Sequence, residues 1–242
     1  MPQNMNYPYS GSQKVSPIWS TYHALLDEGS LFSVASINAA SGKAGGTAIA
    51  TTTSVVDDAA TASATHAQNV PVMFINNPGA SGDVNSKTIY PLFLPMSIVQ
   101  VPTSATVWNF AIRCDNTARY TSGGTLLAPQ NLSMGSQNAS IAQIYFGAVV
   151  TALPGANQRV VGSGMVQATI PVTKDNWIFT FGDITANTNV LTASAGKNLT
   201  IPCAPFAISA GWNCAIEMWG ASNAAAPSWE FEFVYAERFA GL

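Results

Sequence analysis

Apolar side chains recur at every second position in short stretches of the chain beyond residue 70. The clearest stretches are WNCAIEMW at residues 212–219 and WEFEFVYAE at residues 229–237. Because successive side chains of a β-strand point to opposite faces, this period of two predicts strands with one buried face. The same signal, with short apolar runs between turn residues, predicts further strands at residues 70–75, 87–96, 105–114, 141–152, 160–172 and 176–181.

Glycine, proline, asparagine and serine separate these strands. Residues 153–159 (LPGANQR) are typical of a hairpin connection, residues 221–228 (ASNAAAPS) resemble a turn, and Pro91 indicates a sheet edge or a bulge. About eight to ten strands without intervening helices are expected to pair antiparallel and to pack as two sheets. The predicted fold is an all-β antiparallel β-sandwich, with a jelly roll as the favoured topology.

The first forty residues follow a different pattern. Ser16 and Pro17 resemble the start of a helix, Gly29 can end one, and the apolar residues between them recur at helical spacing, which predicts a helix over residues 17–32. Residues 1–15 are rich in Gln, Asn, Tyr and Pro and are predicted to form an extended arm. The predicted division is an arm with a short helix at residues 1–37 and a sandwich domain at residues 38–242. Residues 38–69 are predicted to be a long loop with one or two marginal strands.

Composition adds a prediction about partners. The chain is 48% hydrophobic and 9% charged, which excludes disordered and coiled-coil proteins. A surface made of neutral polar residues favours permanent contacts between subunits, with an uncharged extracellular β-protein as the alternative. The net charge of −3 and the scattered basic residues predict no direct nucleic-acid binding. No apolar run is long enough to span a bilayer and the start lacks the features of a signal peptide, so we expect no membrane association and a cytoplasmic site of synthesis.

The residues that often carry chemistry form no recognisable site. Three cysteines (Cys114, Cys203 and Cys214) do not suggest a disulfide framework, and the first and last fall on apolar phases of strands. The two histidines have no metal-ligand spacing, and the Asp57–Asp58 pair is expected to be a solvated loop charge. We therefore predict a protein that is not an enzyme and that holds no metal or cofactor.

The glutamates of the last two strands are a separate question. Glu230 and Glu232 project from one face and are expected to protect a sheet edge or to contact a second subunit. Glu217, on the preceding strand, is expected to approach them, with Arg238 as a possible counter-charge.

One polar segment, DNTARYTSGGT at residues 115–125, is predicted to be an ordered loop. Asp115 can close an Asx turn and can pair with Arg119, while Gly123 and Gly124 permit a sharp reversal of the chain. The predicted role of these four residues is structural, and ligand binding is the alternative.

The order of several blocks resembles virion structural proteins of short-tailed bacteriophages. These blocks are KTIYPLFL, IRCDNTARYTSGGTLLAPQNLSM, RVVGSGMVQATIPV, NWIFTFGD and WEFEFVYAER. The resemblance covers about residues 70–238. The resemblance implies a capsid cement or decoration protein, often a homotrimer, that binds the major capsid protein on the capsid surface of a virion assembled in the host bacterial cytoplasm. In that role the aromatic residues of the first segment are predicted to form the interface with the shell or with other subunits: Tyr7, Tyr9, Trp19 and Tyr22.

Two alternatives remain at this stage. The chain can be a phage tail or host-adhesion protein, or a carbohydrate-binding sandwich. The latter needs exposed Trp or Tyr side chains on a strand face, whereas Trp212 and Trp229 fall on apolar phases and Trp219 alone does not.

Overall fold

Strands make up nearly all of the regular structure in the computed structural model, which describes residues 24–35, 49–50, 71–80, 83, 86–100, 108–146, 149–150, 157–166, 175–182, 198–219 and 228–239. The strands are β1 Leu31–Ala35, β2 Ile49–Ala50, β3 Met73–Asn76, β4 Lys87–Gln100, β5 Trp108–Asp115, β6 Tyr120–Ser122, β7 Thr125–Leu127, β8 Gln130–Asn131, β9 Gln143–Phe146, β10 Val149–Val150, β11 Arg159–Val166, β12 Asn176–Phe181, β13 Asn198–Cys203, β14 Asn213–Trp219 and β15 Ser228–Phe239.

The strands form two large sheets. One has seven strands in the order β13-β12-β4-β15-β1-β8, with β2 also paired to β15. The other has six strands in the order β11-β5-β14-β3-β9-β7, while β6 and β10 form a small separate sheet. Among the described pairs, β12 and β13 run parallel and the others run antiparallel. The prediction of an all-β, mostly antiparallel sandwich is confirmed.

The core lies between the two large sheets and uses the alternate positions that the sequence indicated. Phe110 on β5 meets Phe179 on β12 edge to face, with ring centroids 5.1 Å apart. Phe146 on β9 stacks on Phe231 of β15 at 4.7 Å. Each pair joins one sheet to the other, and a fully buried phenylalanine contributes about 1.5–3 kcal/mol relative to an exposed one. These contacts hold the sandwich together.

The pairing of the main strands is nested along the chain. The first strand, β1, pairs with the last, β15, while β3 pairs with β14, β4 with β12 and β5 with β11. The chain thus runs out to β5 and returns from β11, and the returning strands β11, β12, β14 and β15 each lie beside an outgoing one, while β13 pairs with β12 at the edge of its sheet. The inner pair β5–β11 is in the six-stranded sheet and the outer pair β1–β15 is in the seven-stranded sheet.

Two predictions about edges and connections differ from the structure. Pro91 lies at a register shift between β4 and β15 in the interior of the sheet, so the bulge is confirmed and the sheet edge is wrong. The predicted hairpin at residues 153–159 is wrong because β11 pairs with β5, while β9 pairs with β3 and β7. Strands β14 and β15 lie in different sheets, and residues 221–227 of the predicted turn between them lie outside the described residues.

The N-terminal helix ends earlier than predicted. Among the described residues it covers 24–27, and Gly29 follows it with a φ of 61°, as its predicted role at the helix end requires. Residues 31–32 were assigned to the helix and instead begin β1, where Phe32 is buried in the core. Strand β1 is buried on both faces and pairs with β15 and β8 inside the seven-stranded sheet. This pairing determines the structure of residues 31–35, although the preceding residues have helical spacing.

The division of the chain at residue 37 stays a prediction. Residues 31–35, which lie before this boundary, form strand β1 and pair with β15 of the sandwich. Within the predicted loop at residues 38–69, the structure describes only the short strand β2, which pairs with β15. The Asp57–Asp58 pair and both histidines lie outside the described residues.

Candidate functional site

Residues 24–30, which follow the predicted N-terminal arm, pack on the outer face of the seven-stranded sheet. Leu25 is buried against Leu31, Val234 and Ala236. These sheet residues are out of phase with the core residues of β1 and β15, so they lie on the opposite face. We call residues 24–30 the arm root. Its apolar contacts fix where the preceding chain leaves the sandwich.

Two asparagine side chains donate hydrogen bonds to backbone carbonyls at the end of the arm root. The Asn131 amide donates to the Gly29 carbonyl at 2.9 Å, and the Asn138 amide donates to the Glu28 carbonyl at 3.0 Å. The last carbonyls of a helix have no partner within it, so side chains that donate to them stabilise its end. Ser136 supports both asparagines, since its hydroxyl lies within hydrogen-bond distance of the Asn131 amide and accepts from the Asn138 backbone N–H.

An ion pair also joins the arm root to β15. The Arg238 guanidinium lies 3.0 Å from both carboxylate oxygens of Glu28. Both side chains are about half exposed, so the pair adds little free energy. It does answer the prediction made for Arg238, whose partner is Glu28 rather than the glutamates at 230 and 232.

The loop at residues 115–124 has the contacts that its sequence predicted. Arg119 lies 3.2 Å from the Asp115 carboxylate, and both side chains are 1% exposed. The Thr117 backbone N–H donates to the same carboxylate at 3.0 Å, which closes the predicted Asx turn. Gly123 and Gly124 adopt φ values of 68° and 75°, which favour glycine.

A residue that the sequence did not point to connects this loop to the sheet. The Asn213 amide, at the start of β14, donates to Asp115 at 3.2 Å and to the Thr117 carbonyl at 2.5 Å. Asn213 is 98 residues from Asp115, so no local motif could have indicated it. The loop is therefore attached to the outer face of the six-stranded sheet.

The loop also places an aromatic ring on that face. Tyr120 stacks on Tyr145 with ring centroids 4.3 Å apart and on Phe74 at 6.5 Å. Phe74 and Tyr145 are register partners on β3 and β9. Leu126 follows as the partner of Tyr145 on β7 and is exposed. We call Tyr120, Tyr145 and Leu126 the tyrosine patch.

The glutamates at 217, 230 and 232 do not meet. Glu217 lies on the outer face of the six-stranded sheet and pairs with Arg113, and both residues are buried. Glu232 is exposed and lies on β15 of the other sheet. Because β15 is an interior strand of that sheet, the prediction that Glu230 and Glu232 protect an edge is wrong.

A buried carboxylate at the end of β15 holds another loop. Glu237 accepts hydrogen bonds from the Ser140 hydroxyl at 2.5 Å, from the Ile141 backbone N–H at 3.0 Å and from the Ala142 backbone N–H at 3.2 Å. Lys87 lies 3.4 Å away and neutralises the charge. Glu237 has the same phase as the core residues of β15, and a charge on a buried phase requires such partners. That phase was the available signal for it in the sequence.

The Tyr235 hydroxyl, which belongs to this network, stays protonated near neutral pH. Burial raises the pKa of the Tyr235 hydroxyl above its ordinary range, and its hydrogen bond with Ser140 opposes that shift. Ser140 already donates to Glu237, so the Tyr235 hydroxyl donates to Ser140 at 2.7 Å. The arrangement stabilises the loop at residues 136–142 against β15.

All three cysteines are buried and free. Cys114 and Cys214 are register partners on β5 and β14, and both belong to the core, as predicted for small buried side chains. Burial raises the pKa of Cys203 to about 11 and raises that of Cys214, to which the neighbouring Cys114 adds. Thiols of this kind stay protonated and react slowly.

In the part of the chain that the structure describes, no three His, Cys, Asp or Glu side chains are grouped so that they could hold a metal ion. The same residues contain no helix long and apolar enough to cross a membrane. The predicted interface residues Tyr7, Tyr9, Trp19 and Tyr22 lie outside the described residues, and that prediction stays as it was made.

Comparison with known proteins gives no relative for this chain. No family model, no curated protein and no solved structure matches it.

Proposed function

We propose that this chain is a structural protein of a bacteriophage virion, which binds as a homo-oligomer to the shell formed by the major capsid protein and stabilises it. The observation that carries the proposal is that several of the few charged side chains are buried rather than at the surface. The chain has nine basic and twelve acidic residues. Within the part of the chain that the structure describes, six of these are buried: Arg113, Asp115, Arg119, Asp175, Glu217 and Glu237.

Burial of these side chains leaves the outer surface poorer in charge than the composition alone indicates. A soluble monomer of this size ordinarily presents charged residues at roughly 25–35% of its surface positions. Neutral polar groups lose less solvation energy than charges when two surfaces meet. A surface of this kind supports permanent contacts with neighbouring subunits, which is how a cement protein stabilises a shell.

The nested strand pairing supports the finer prediction that the sandwich is a jelly roll. In that fold two Greek keys form two packed sheets, and viral capsid proteins and lectins are among the proteins that use it. The pairs β1–β15, β3–β14, β4–β12 and β5–β11 have the order expected when one long antiparallel hairpin is rolled up. The fold is compatible with the proposed role and does not identify it.

The arm root supports the role proposed for the arm. Leu25, the two asparagine amides and Arg238 hold residues 24–30 to the sandwich. A segment that carries Tyr7, Tyr9, Trp19 and Tyr22 is therefore attached at a defined point on the outer face of the seven-stranded sheet. Aromatic side chains are the usual anchors of protein interfaces.

The oligomeric state is tested first. Size-exclusion chromatography with light scattering on the full chain at micromolar concentration is expected to give about three times the chain mass of 25.3 kDa. A strict monomer at the same concentration would remove the homotrimer from the proposal.

The arm is tested by deletion of residues 1–23 and by alanine at all four aromatic positions. The deletion has to stop at residue 23, because Leu25 and Phe32 are part of the folded sandwich. The matched control replaces four polar arm residues by alanine: Ser10, Ser12, Gln13 and Ser16. Loss of co-sedimentation with the shell in the aromatic variant, but not in the control, is expected; equal binding by both variants contradicts the proposed role of the arm.

Cryo-electron microscopy of the virion distinguishes the shell from the tail. Density for this sandwich at the junctions of the shell lattice is expected. Density confined to the tail would replace the cement role by the tail or host-adhesion role.

A further inference from the structure

Two of the three cysteines face each other on neighbouring strands of the six-stranded sheet. Cys114 on β5 and Cys214 on β14 are register partners, and their thiols form a hydrogen bond with each other. Both side chains are buried in the core and both thiols are free. The two sulfur atoms are therefore in contact, although the residues lie about 100 positions apart in the chain.

The backbone hydrogen bonds of β14 show what kind of pair the two cysteines form. The carbonyls of Trp212 and Ile216 accept from the N–H groups of the two residues that flank β3, at 3.0 Å and 2.8 Å, so both carbonyls point toward β3. Backbone groups alternate in direction along a strand, and Cys214 lies midway between these two residues. The backbone of Cys214 therefore also points toward β3, and Cys214 makes no backbone hydrogen bonds with Cys114 on β5.

Pairs without backbone hydrogen bonds are those in which opposite residues lie closest together. Their Cα atoms are about 4.5 Å apart in an antiparallel sheet, against about 5.5 Å for a hydrogen-bonded pair. A disulfide requires a Cα separation of about 4.4–6.8 Å. A bond between Cys114 and Cys214 thus needs rotation of the side chains and no change of register. Cys203 lies on β13 of the other sheet and is not in register with either of them.

We propose that Cys114 and Cys214 are a site of oxidation, at which a disulfide forms between β5 and β14. A hydroperoxide is the oxidant. One thiolate attacks a peroxide oxygen and breaks the O–O bond, which gives a sulfenic acid and, after protonation, water. The second thiol attacks the sulfur of the sulfenic acid, so that the S–S bond forms and a second water leaves. The two sulfurs are oxidised by two electrons in total, and the peroxide is reduced by two.

The position of the pair determines when the bond forms and what it does. Burial raises the pKa of the Cys214 thiol, so the reaction is slow and the thiols stay reduced in a reducing compartment. Once formed, the bond joins two interior strands of the six-stranded sheet. A cross-link between residues so far apart in the chain restricts the unfolded state and stabilises the folded one. This site goes beyond the proposed role in the shell and does not depend on it.

Peptide mapping of the oxidised full chain tests the proposal. The native protein is treated with hydrogen peroxide, and the remaining thiols are alkylated in urea before digestion. Trypsin with chymotrypsin separates the cysteines, because Phe206 and Trp212 lie between Cys203 and Cys214 and a tryptic site follows Cys114. We expect one linked pair of peptides that contains Cys114 and Cys214, lighter than the reduced peptides by the mass of two hydrogen atoms. Cys203 is expected to be alkylated.

Three results of this map would overturn the proposal: alkylation of all three cysteines, oxygen added to single cysteines without a linkage, and a linkage that includes Cys203. The matched variants are Cys203→Ala, which is expected to keep the linkage, and Cys114→Ala, which is expected to lose it without gaining another. The map of the wild-type protein decides alone if Cys114→Ala does not fold.

The stabilising effect of the bond is measured on the same oxidised protein. Its urea midpoint is expected to lie about 1 M or more above that of the reduced protein, and dithiothreitol is expected to reverse the change. Cys203→Ala is expected to show the same rise on oxidation. A linked protein whose midpoint does not rise contradicts the stabilising role of the bond.

Discussion

Replacement of Glu237 by glutamine tests how much one buried carboxylate contributes to the sandwich. The side chain of Glu237 is 0% exposed and accepts from Ser140, Ile141 and Ala142, with Lys87 beside it. Glutamine has nearly the same shape, so the change removes charge without opening a cavity. Its amide group also donates where the carboxylate accepts.

The size of the effect follows from the hydrogen bonds. A bond to a charged acceptor contributes about 1.5–3 kcal/mol and a neutral one about 0.5–1.5 kcal/mol, so three weakened bonds cost on the order of 2–4 kcal/mol. The contact with Lys87 adds at most about 1 kcal/mol, because the lysine is partly exposed to solvent. The total is a large fraction of the roughly 5–15 kcal/mol by which domains are stable.

Equilibrium unfolding in urea, followed by tryptophan fluorescence and far-UV circular dichroism, measures the change. We expect the midpoint to fall by about 1–2 M with an unchanged slope. Glu232→Gln is the matched control, because Glu232 is an exposed glutamate on the same strand and its change should cost under about 0.5 kcal/mol. Lys87→Met is expected to cost less than Glu237→Gln. If Glu237→Gln and Glu232→Gln lower the midpoint equally, the hydrogen bonds to the carboxylate do not carry the stability assigned to them.

Two further predictions concern the arm root and the alkaline limit of stability. Gly29→Ala is expected to cost about 1–3 kcal/mol in the same assay, because the φ of 61° is unfavourable for alanine and the new Cβ overlaps Ser136, whereas Gly135→Ala, with open space around it, should be nearly neutral; similar costs at both sites would contradict this account. Because the pKa of the Cys203 thiol is raised in the folded state, the unfolded state loses the thiol proton at a lower pH than the folded state does. The stability that the Cys203 thiol contributes is therefore complete below pH 9 and is lost as the pH rises toward 11. Tyr235 acts in the same direction above pH 10. A urea midpoint that does not fall between pH 9 and 11 would contradict the direction of both shifts.

The sequence predicted strands well where one face is buried and the other is not. Residues 176–181 form β12 with the alternation that their letters show, and β15 places Phe231, Phe233 and Tyr235 in the core. Strand β1 was missed because four of its five residues are buried, which removes the alternation. Its assignment depends on β15, about 200 residues later in the chain, which supplies its partner.

The contacts at the candidate sites also differ in whether a local sequence pattern could predict them. The contact of Asp115 with Arg119 spans four residues, and a local pattern is enough to predict it. The contacts of Asn213 with the loop and of Glu237 with Ser140 join residues almost 100 positions apart. The tyrosine patch combines β6, β7 and β9, so it exists only after the sheets have formed.

The buried pair of Asp115 and Arg119 links the shape of the loop to the neutrality of its surface. Replacing a buried ion pair by apolar residues often leaves stability unchanged, so stability alone does not account for the pair. Apolar side chains, however, cannot accept from the Thr117 backbone N–H or from the Asn213 amide, as the Asp115 carboxylate does. The charges inside the loop therefore specify its conformation, and because they are buried, the exposed side chains that the structure describes in this loop are uncharged. Neutral polar groups lose less solvation energy than charged groups when a partner covers them. Because the charges of this loop are buried, a neutral partner can cover the surface of the loop at a low cost in solvation energy.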